Sequence, residues 1–95
     1  DIVEDGEEEP RIVTRPDGCM LVAGWMPVDE FADVLGLPLE ADRDYQTVAG
    51  MVLDRMGRLP QVGETLDEGA WRIEVIDLDG RRIDKLLVWR RDRTA

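Results

Sequence analysis

The sequence holds 95 residues with 22 acidic and 12 basic side chains and no histidine, for a formal net charge of −10. One chain of this length makes one domain, and its acidity excludes general nucleic-acid or membrane-surface binding, which needs a cationic face. The single cysteine, Cys19, excludes an internal disulfide, and without histidine a soft-metal site has almost no ligands.

Residues 1–10, DIVEDGEEEP, carry six acidic side chains and no basic one, and read as a disordered acidic linker ended by Pro10. The opposite end reverses the sign: RRIDKLLVWRRDR, residues 81–93, has six basic side chains against two acidic. The expected organisation is the linker at 1–10, a folded domain at 11–91 and a tail at 92–95. The longest uncharged stretch, around CMLVAGWMPV, is little more than half the roughly 20 residues of a spanning helix, so this chain is not expected to insert in a membrane. No signal-peptide pattern is present and the chain does not begin with methionine, so the expectation is a fragment of a longer protein.

RIVTRPDGCMLVAGW reads as a hairpin around Arg15-Pro16-Asp17-Gly18, where proline presets one turn angle and glycine accepts a positive φ. Met20 to Trp25 form the returning strand, apolar on both faces and therefore expected inside the sheet. A helix follows from Pro27 to Gly36, with Asp29 and Glu30 in its first turn and Val28, Phe31, Ala32 and Leu35 on one stripe. A second helix is expected over 45–56, with Tyr45, Val48, Ala49, Val52, Leu53 and Met56 at helical spacing and Gly57 as its cap. Gly50 within it costs about 1 kcal/mol relative to alanine, which close packing against a strand would explain.

From Glu64 onward the pattern is β. A short strand at Glu64–Leu66 precedes a turn at Asp67–Gly69. WRIEVIDLDGRRIDKLLVWR then supplies two strands around Asp79-Gly80. A two-residue turn there pairs Ile76 with Ile83, Glu74 with Lys85, Ile73 with Leu86 and Trp71 with Val88, apolar on apolar and opposite charges together. The order is ββααβββ. The fold class is α+β, an antiparallel-rich sheet with two helices packed on one face.

Chemistry finds little to work with. Setting Gly80 as the sixth position of an EF-hand loop places Val75 at the first and Leu86 at the twelfth, and neither coordinates calcium. What survives is a magnesium contact through Asp77 and Asp79 alone; no metal site is expected. No glycine-rich phosphate loop of either standard spacing occurs. Arg81 and Arg82 after the turn are the candidate binding residues, able to clasp a phosphate, against the alternative of pairing with Asp77, Asp79 or Asp84. With no histidine and no serine, no Ser–His or Cys–His nucleophile exists, so no catalytic residue and no enzyme activity are expected. Cys19 reads as a small, partly buried residue. Trp25, Trp71 and Trp89 read as core rather than as the walls of a ligand pocket.

Taken together, DGCMLVAGWMPVDEFADVLGLPLE and DYQTVAGMVLDRMGRLPQVGETLDEGAWRIEVIDLDGRRIDKLLVWR resemble the CorC/HlyC transporter-associated domain over about residues 10–91. The matching elements are the Asp17-Gly18 turn, Gly24, the Pro27-x-Asp29-Glu30 helix start, Leu35-Gly36, Tyr45-x-Thr47-x-x-Gly50, Gly57-Arg58-x-Pro60, Gly63 and Asp77-x-Asp79-Gly80-Arg81-Arg82-Ile83. Trp25 departs from the family, which often carries a basic or polar residue there, and Trp71 stands where phenylalanine is common.

The resemblance implies a non-catalytic regulatory or interaction domain on the cytosolic face of a membrane-anchored, haemolysin-like parent. The parent would handle divalent cations such as magnesium and cobalt. The partners it implies are the membrane domain and paired CBS-type modules of that parent. An exposed sheet face or edge can also pair with a second copy across a two-fold axis. The implied fold is similar to part of the flavin-binding domain of PCMH-type oxidases. This makes the alternative reading a flavin adenine dinucleotide (FAD) or adenine-nucleotide module, with Arg81, Arg82 and an exposed tryptophan as contacts. From the residues alone no cofactor is expected; FAD enters by resemblance only.

Overall fold

A computed structural model describes residues 11–93. The acidic stretch 1–10 and the end of the expected tail, residues 94 and 95, lie outside the described residues. The described order is β1 (Ile12–Thr14), β2 (Met20–Ala23), α1 (Val28–Leu35), α2 (Val48–Met56), β3 (Thr65–Glu68), β4 (Trp71–Asp79) and β5 (Arg82–Arg90), followed by a short 3-10 turn over Arg91–Arg93. This is the expected ββααβββ order.

All five strands form one antiparallel sheet in the order β1-β2-β5-β4-β3. The last strand thus returns to the middle and joins the two ends of the chain, with Met20 opposite Val88 and Val22 opposite Leu86. As expected for a strand apolar on both faces, β2 lies inside the sheet, between β1 and β5. It ends at Ala23, two residues before the expected end.

Alternate strand residues face the helices. Met20, Val22, Ile73, Val75, Ile83, Leu86 and Val88 bury against Val28, Phe31, Leu35, Val48, Met51 and Val52 in a single cluster. The stripe read for α1 is therefore the buried one. Pro27, however, sits just outside the helix at φ −58°, ψ 133°, where its missing N–H costs nothing.

The second helix departs further. Its cap is Thr47, whose hydroxyl oxygen accepts a hydrogen bond from the Gly50 amide at 3.1 Å, so the helix starts at Val48 rather than 45. Tyr45 is buried, but ahead of the helix. Met51 joins Val48 and Val52 on the buried face, while Leu53 is 37% exposed. Gly50 packs on Tyr45 rather than on a strand. A Cβ at this glycine would lie 2.9 Å from the Tyr45 Cβ.

The short strand β3 is Thr65–Glu68, displaced from the expected Glu64–Leu66, so the chain turns at Gly69 and Ala70. The closing hairpin also needs correction. Its two turn residues are Gly80 and Arg81, with Gly80 at φ 63°, and Asp79 pairs with Arg82. One extra residue in each strand, Asp84 and then Ile76, shifts the register before Val75 meets Leu86. The two extra residues offset each other, so it is the turn, one residue later than expected, that sets Ile73 opposite Val88 and Trp71 opposite Arg90, two residues from the expected pairing. A slip of two leaves every side chain on its own face, which is why the apolar pattern accommodated both registers. Lys85 still meets an acid, Asp77 instead of Glu74.

Candidate functional site

The corner where β2 ends, α2 begins and β5 starts is held by backbone. Gly24 donates its N–H to the Asp84 carbonyl at 2.9 Å, and its own carbonyl accepts from the Ala49 amide at 2.9 Å. A Cβ at this position would fall 2.1 Å from the Ile83 carbonyl oxygen, a contact only glycine avoids. Next to it, the indole of Trp25 is 45% exposed.

These elements enclose a slot of about 260 Å³ lined by Gly24, Trp25, Thr47, Ala49, Arg82, Ile83 and Asp84. Its lining combines the small or apolar residues Gly24, Ala49 and Ile83 with one tryptophan, one threonine, one arginine and one aspartate. The α2 amides nearby are occupied: Val48 donates to the Met26 carbonyl at 3.0 Å, Ala49 to Gly24 and Gly50 to the Thr47 hydroxyl oxygen. The helix therefore offers the field of its positive end but none of these three N–H groups.

The two candidate arginines part here. Arg82 lines the slot, whereas Arg81 is the second turn residue and does not. Neither makes an ion pair among the described residues, contrary to the alternative of pairing with Asp77, Asp79 or Asp84. Arg82 does lie near enough to Asp84 to favour its ionised form. The Asp84 carboxyl sits below its ordinary range chiefly through the hydrogen bond from Lys85, helped by Asp77 and Arg82. Lys85 Nζ donates to Asp84 Oδ2 at 3.0 Å, so the carboxylate at the slot already has a cation.

The tryptophans also divide. Trp71 packs on the core and donates its Nε1–H to the Leu35 carbonyl at 3.1 Å, with the Arg90 guanidinium 5.3 Å from its ring. Trp89 is half-buried. Trp25, read as core, is instead at the surface, because Gly24 turns the chain out of the sheet before it. No group of three or more carboxylate or cysteine side chains gathers as metal ligands among the described residues, so the contact imagined through Asp77 and Asp79 gains no third partner. Cys19 is half-buried, with its amide donating to Asp17 Oδ1 at 3.0 Å.

Sequence reasoning missed Gly24, Thr47 and Ala49 as neighbours of Arg82, since they come from two distant segments. One signal was present: Gly-Trp directly after an apolar strand puts a large ring where a strand would have placed a small or polar residue.

Together, the sheet and the slot define an α+β module with both helices on one face, an opposite face that no element among the described residues covers, and a shallow cavity at one corner. The chain belongs to the transporter associated domain family, CorC/HlyC, whose pattern matches residues 13–92. It is 39% identical over 88 residues to a UPF0053 protein of Synechocystis, covering 90% of this chain and 20% of that protein. It is 33% identical over 96 residues to the polyamine export protein of Salmonella typhimurium, covering all of this chain and 21% of that one. The chain thus spans about a fifth of the curated relatives it matches. Among solved structures it is similar to the transporter associated domain of a Xylella fastidiosa hemolysin, with 48% identity and a TM-score of 0.79, covering 87% of this chain and 98% of that one. That domain has also been solved in complex with magnesium and manganese ions. No helix among the described residues is long and apolar enough to cross a membrane.

Proposed function

We propose that this chain is a non-catalytic docking domain, on the cytosolic side, of a membrane-anchored cation transporter, and that it restrains or transmits the conformational change of its parent. One observation carries the reading. An antiparallel sheet covered on one face should be polar on the other. Here Leu21 and Leu87 face each other across β2 and β5 on the uncovered side, with Val13 beside Leu21 and Trp89 two residues beyond Leu87. Leu21, Leu87 and Trp89 remain half-buried rather than covered, and Val13 is 41% exposed. Such an apolar strip suits a neighbouring domain, and the relatives are some five times longer than this chain. The membrane and CBS-type domains of the parent are the proposed partners, and an isologous pairing of two copies through the same face is compatible with it.

The cargo proposed is a cation, divalent by resemblance and a polyamine by the name of the Salmonella relative; both share positive charge. Leu87→Glu in the full-length parent should leave the domain folded, release it from the remainder in co-purification and change efflux. Undiminished association, together with unchanged flux after deletion of the domain, would sink the reading.

A second reading, the flavin or adenine-nucleotide module, is favoured by a separate observation: the fold brings Arg82 and an exposed tryptophan, Trp25, to the same slot.

A further inference from the structure

We infer that the slot between Trp25 and Arg82 binds a small planar aromatic anion, its ring against the Trp25 indole and its single anionic group on the Arg82 guanidinium. This rests on the second reading above and narrows it to one site and one size of ligand.

The exposed indole is the first support. Trp25 follows a glycine whose contacts to Ile83 and Ala49 fix the strand end, so the ring stands on a rigid base. An indole held in this way offers a stacking face at little further entropic cost. The charges settle the sign of the ligand. Asp84 is occupied by Lys85 at 3.0 Å, Arg82 has no ion pair among the described residues, and the positive end of α2 lies at Thr47. The local field therefore favours an anion on a chain that is acidic as a whole. Gly24, Ala49 and Ile83 in the lining favour a ring over a bare inorganic ion.

Volume limits the ligand. Sites that bury a drug-sized molecule run to roughly 300–1,000 Å³, and this slot has about 260 Å³. One ring system with one adjacent anionic group fits; a whole dinucleotide would leave most of itself outside. Nucleotides and aromatic carboxylates share this chemistry, and the test separates them.

Chain 1–95, labelled with nitrogen-15, is titrated with adenosine monophosphate, indole-3-acetate, adenosine, inorganic phosphate and FAD, following backbone and indole N–H resonances. Either aromatic anion should shift the Trp25 indole and the amides of Gly24, Ala49 and Ile83 at millimolar concentration or below, and which of the two binds more tightly names the source. Adenosine and phosphate, each lacking half of the pairing, should bind on the order of tenfold more weakly. Trp25→Ala and Arg82→Gln should each weaken the better anion by a similar factor, on the order of tenfold. Both alter exposed side chains, and the dispersion of the other resonances confirms that they fold. Absence of shifts with both anions overturns the inference, and absence of shifts with FAD as well overturns the nucleotide reading with it. Binding of FAD whose shifts fall away from this corner, or that survives Trp25→Ala, overturns the site and leaves the module reading standing. Tighter binding by Arg82→Gln would mean that the slot prefers cations, and would also overturn the inference.

Discussion

Arginines do two different jobs at opposite ends of this sheet. Along β3 each neighbouring arginine is committed: Arg55 of α2 grips Glu68 through two nitrogens at 3.1 and 3.2 Å, Arg72 holds Asp67 at 2.7 Å, and Arg58 donates to Glu64 at 3.0 Å. At the β4–β5 turn, Arg81 and Arg82 make no ion pair among the described residues, although Asp77, Asp79 and Asp84 lie close in sequence. The first arrangement holds an edge strand in place. The second leaves charge available to a ligand or partner. Composition alone would have treated all five alike.

The sharpest way to break the contrast is at Gly24, which makes the ligand corner possible. Gly24→Ala pushes a methyl into the Ile83 carbonyl, a backbone atom that cannot swing aside. Unfolding in urea should show a loss of about 3 kcal/mol, the upper end for overpacking. A change within experimental error would mean that β2 and β5 separate easily there, and the slot would lose its rigid floor.

At the committed end the expected losses are smaller. Arg55 also lies 5.6 Å from the Tyr45 ring centroid, so Arg55→Ala removes a two-nitrogen carboxylate contact and a ring contact together. A cost of about 1 kcal/mol is expected, because the guanidinium remains partly in water. The Tyr45→Leu, Arg55→Ala double mutant should lose less than the sum of the single changes, and strict additivity would show the ring contact to be empty.

Glu64 gives the acid response. Hydrogen bonding from Arg58, then from the Gln61 amide, lowers its carboxyl to about 2, below the ordinary 4.5. A lowered folded-state value means that this contribution to stability is complete above pH 4.5 and is lost as pH falls from there toward 2. Glu64→Gln should therefore flatten the fall of stability across that window while leaving stability differences above pH 5 constant. An unchanged acid profile would show that the pair with Arg58 is absent in solution.

Parts of this architecture were written plainly in the residues. Val28, Phe31, Ala32 and Leu35 recur at one helical face, and nothing else in the segment competes, so α1 was legible to within a residue at its proline. The start of α2 was not. Tyr45 keeps helical spacing to Val48 and Ala49 but packs on Gly50 from outside the helix, while Thr47 caps without the glutamate that would mark a capping box. The hairpin register was hidden because a shift by two residues preserves both faces. Arg82 was found as a candidate from charge and position, but its slot was not, since the walls come from residues 24–25, 47–49 and 82–84 and meet only when β5 returns beside β2.

The smallest expected effect tests the other side of the contrast. If Arg81 and Arg82 are held for something outside the domain, their loss should cost the isolated domain almost nothing. The Arg81→Ala, Arg82→Ala double variant should stay within about 0.5 kcal/mol of the parent chain in urea unfolding, as surface positions without fixed partners do. Removing two positive charges from the turn leaves Asp77, Asp79 and Asp84 at this end of the hairpin with Lys85 as the cation paired to Asp84, so a slight loss that grows at low salt is the expected direction. A loss of 1 kcal/mol or more that persists at high salt would place both arginines in the same structural role as Arg55 and Arg72. That result would end the distinction between an end of the sheet built to hold itself and an end built to be met.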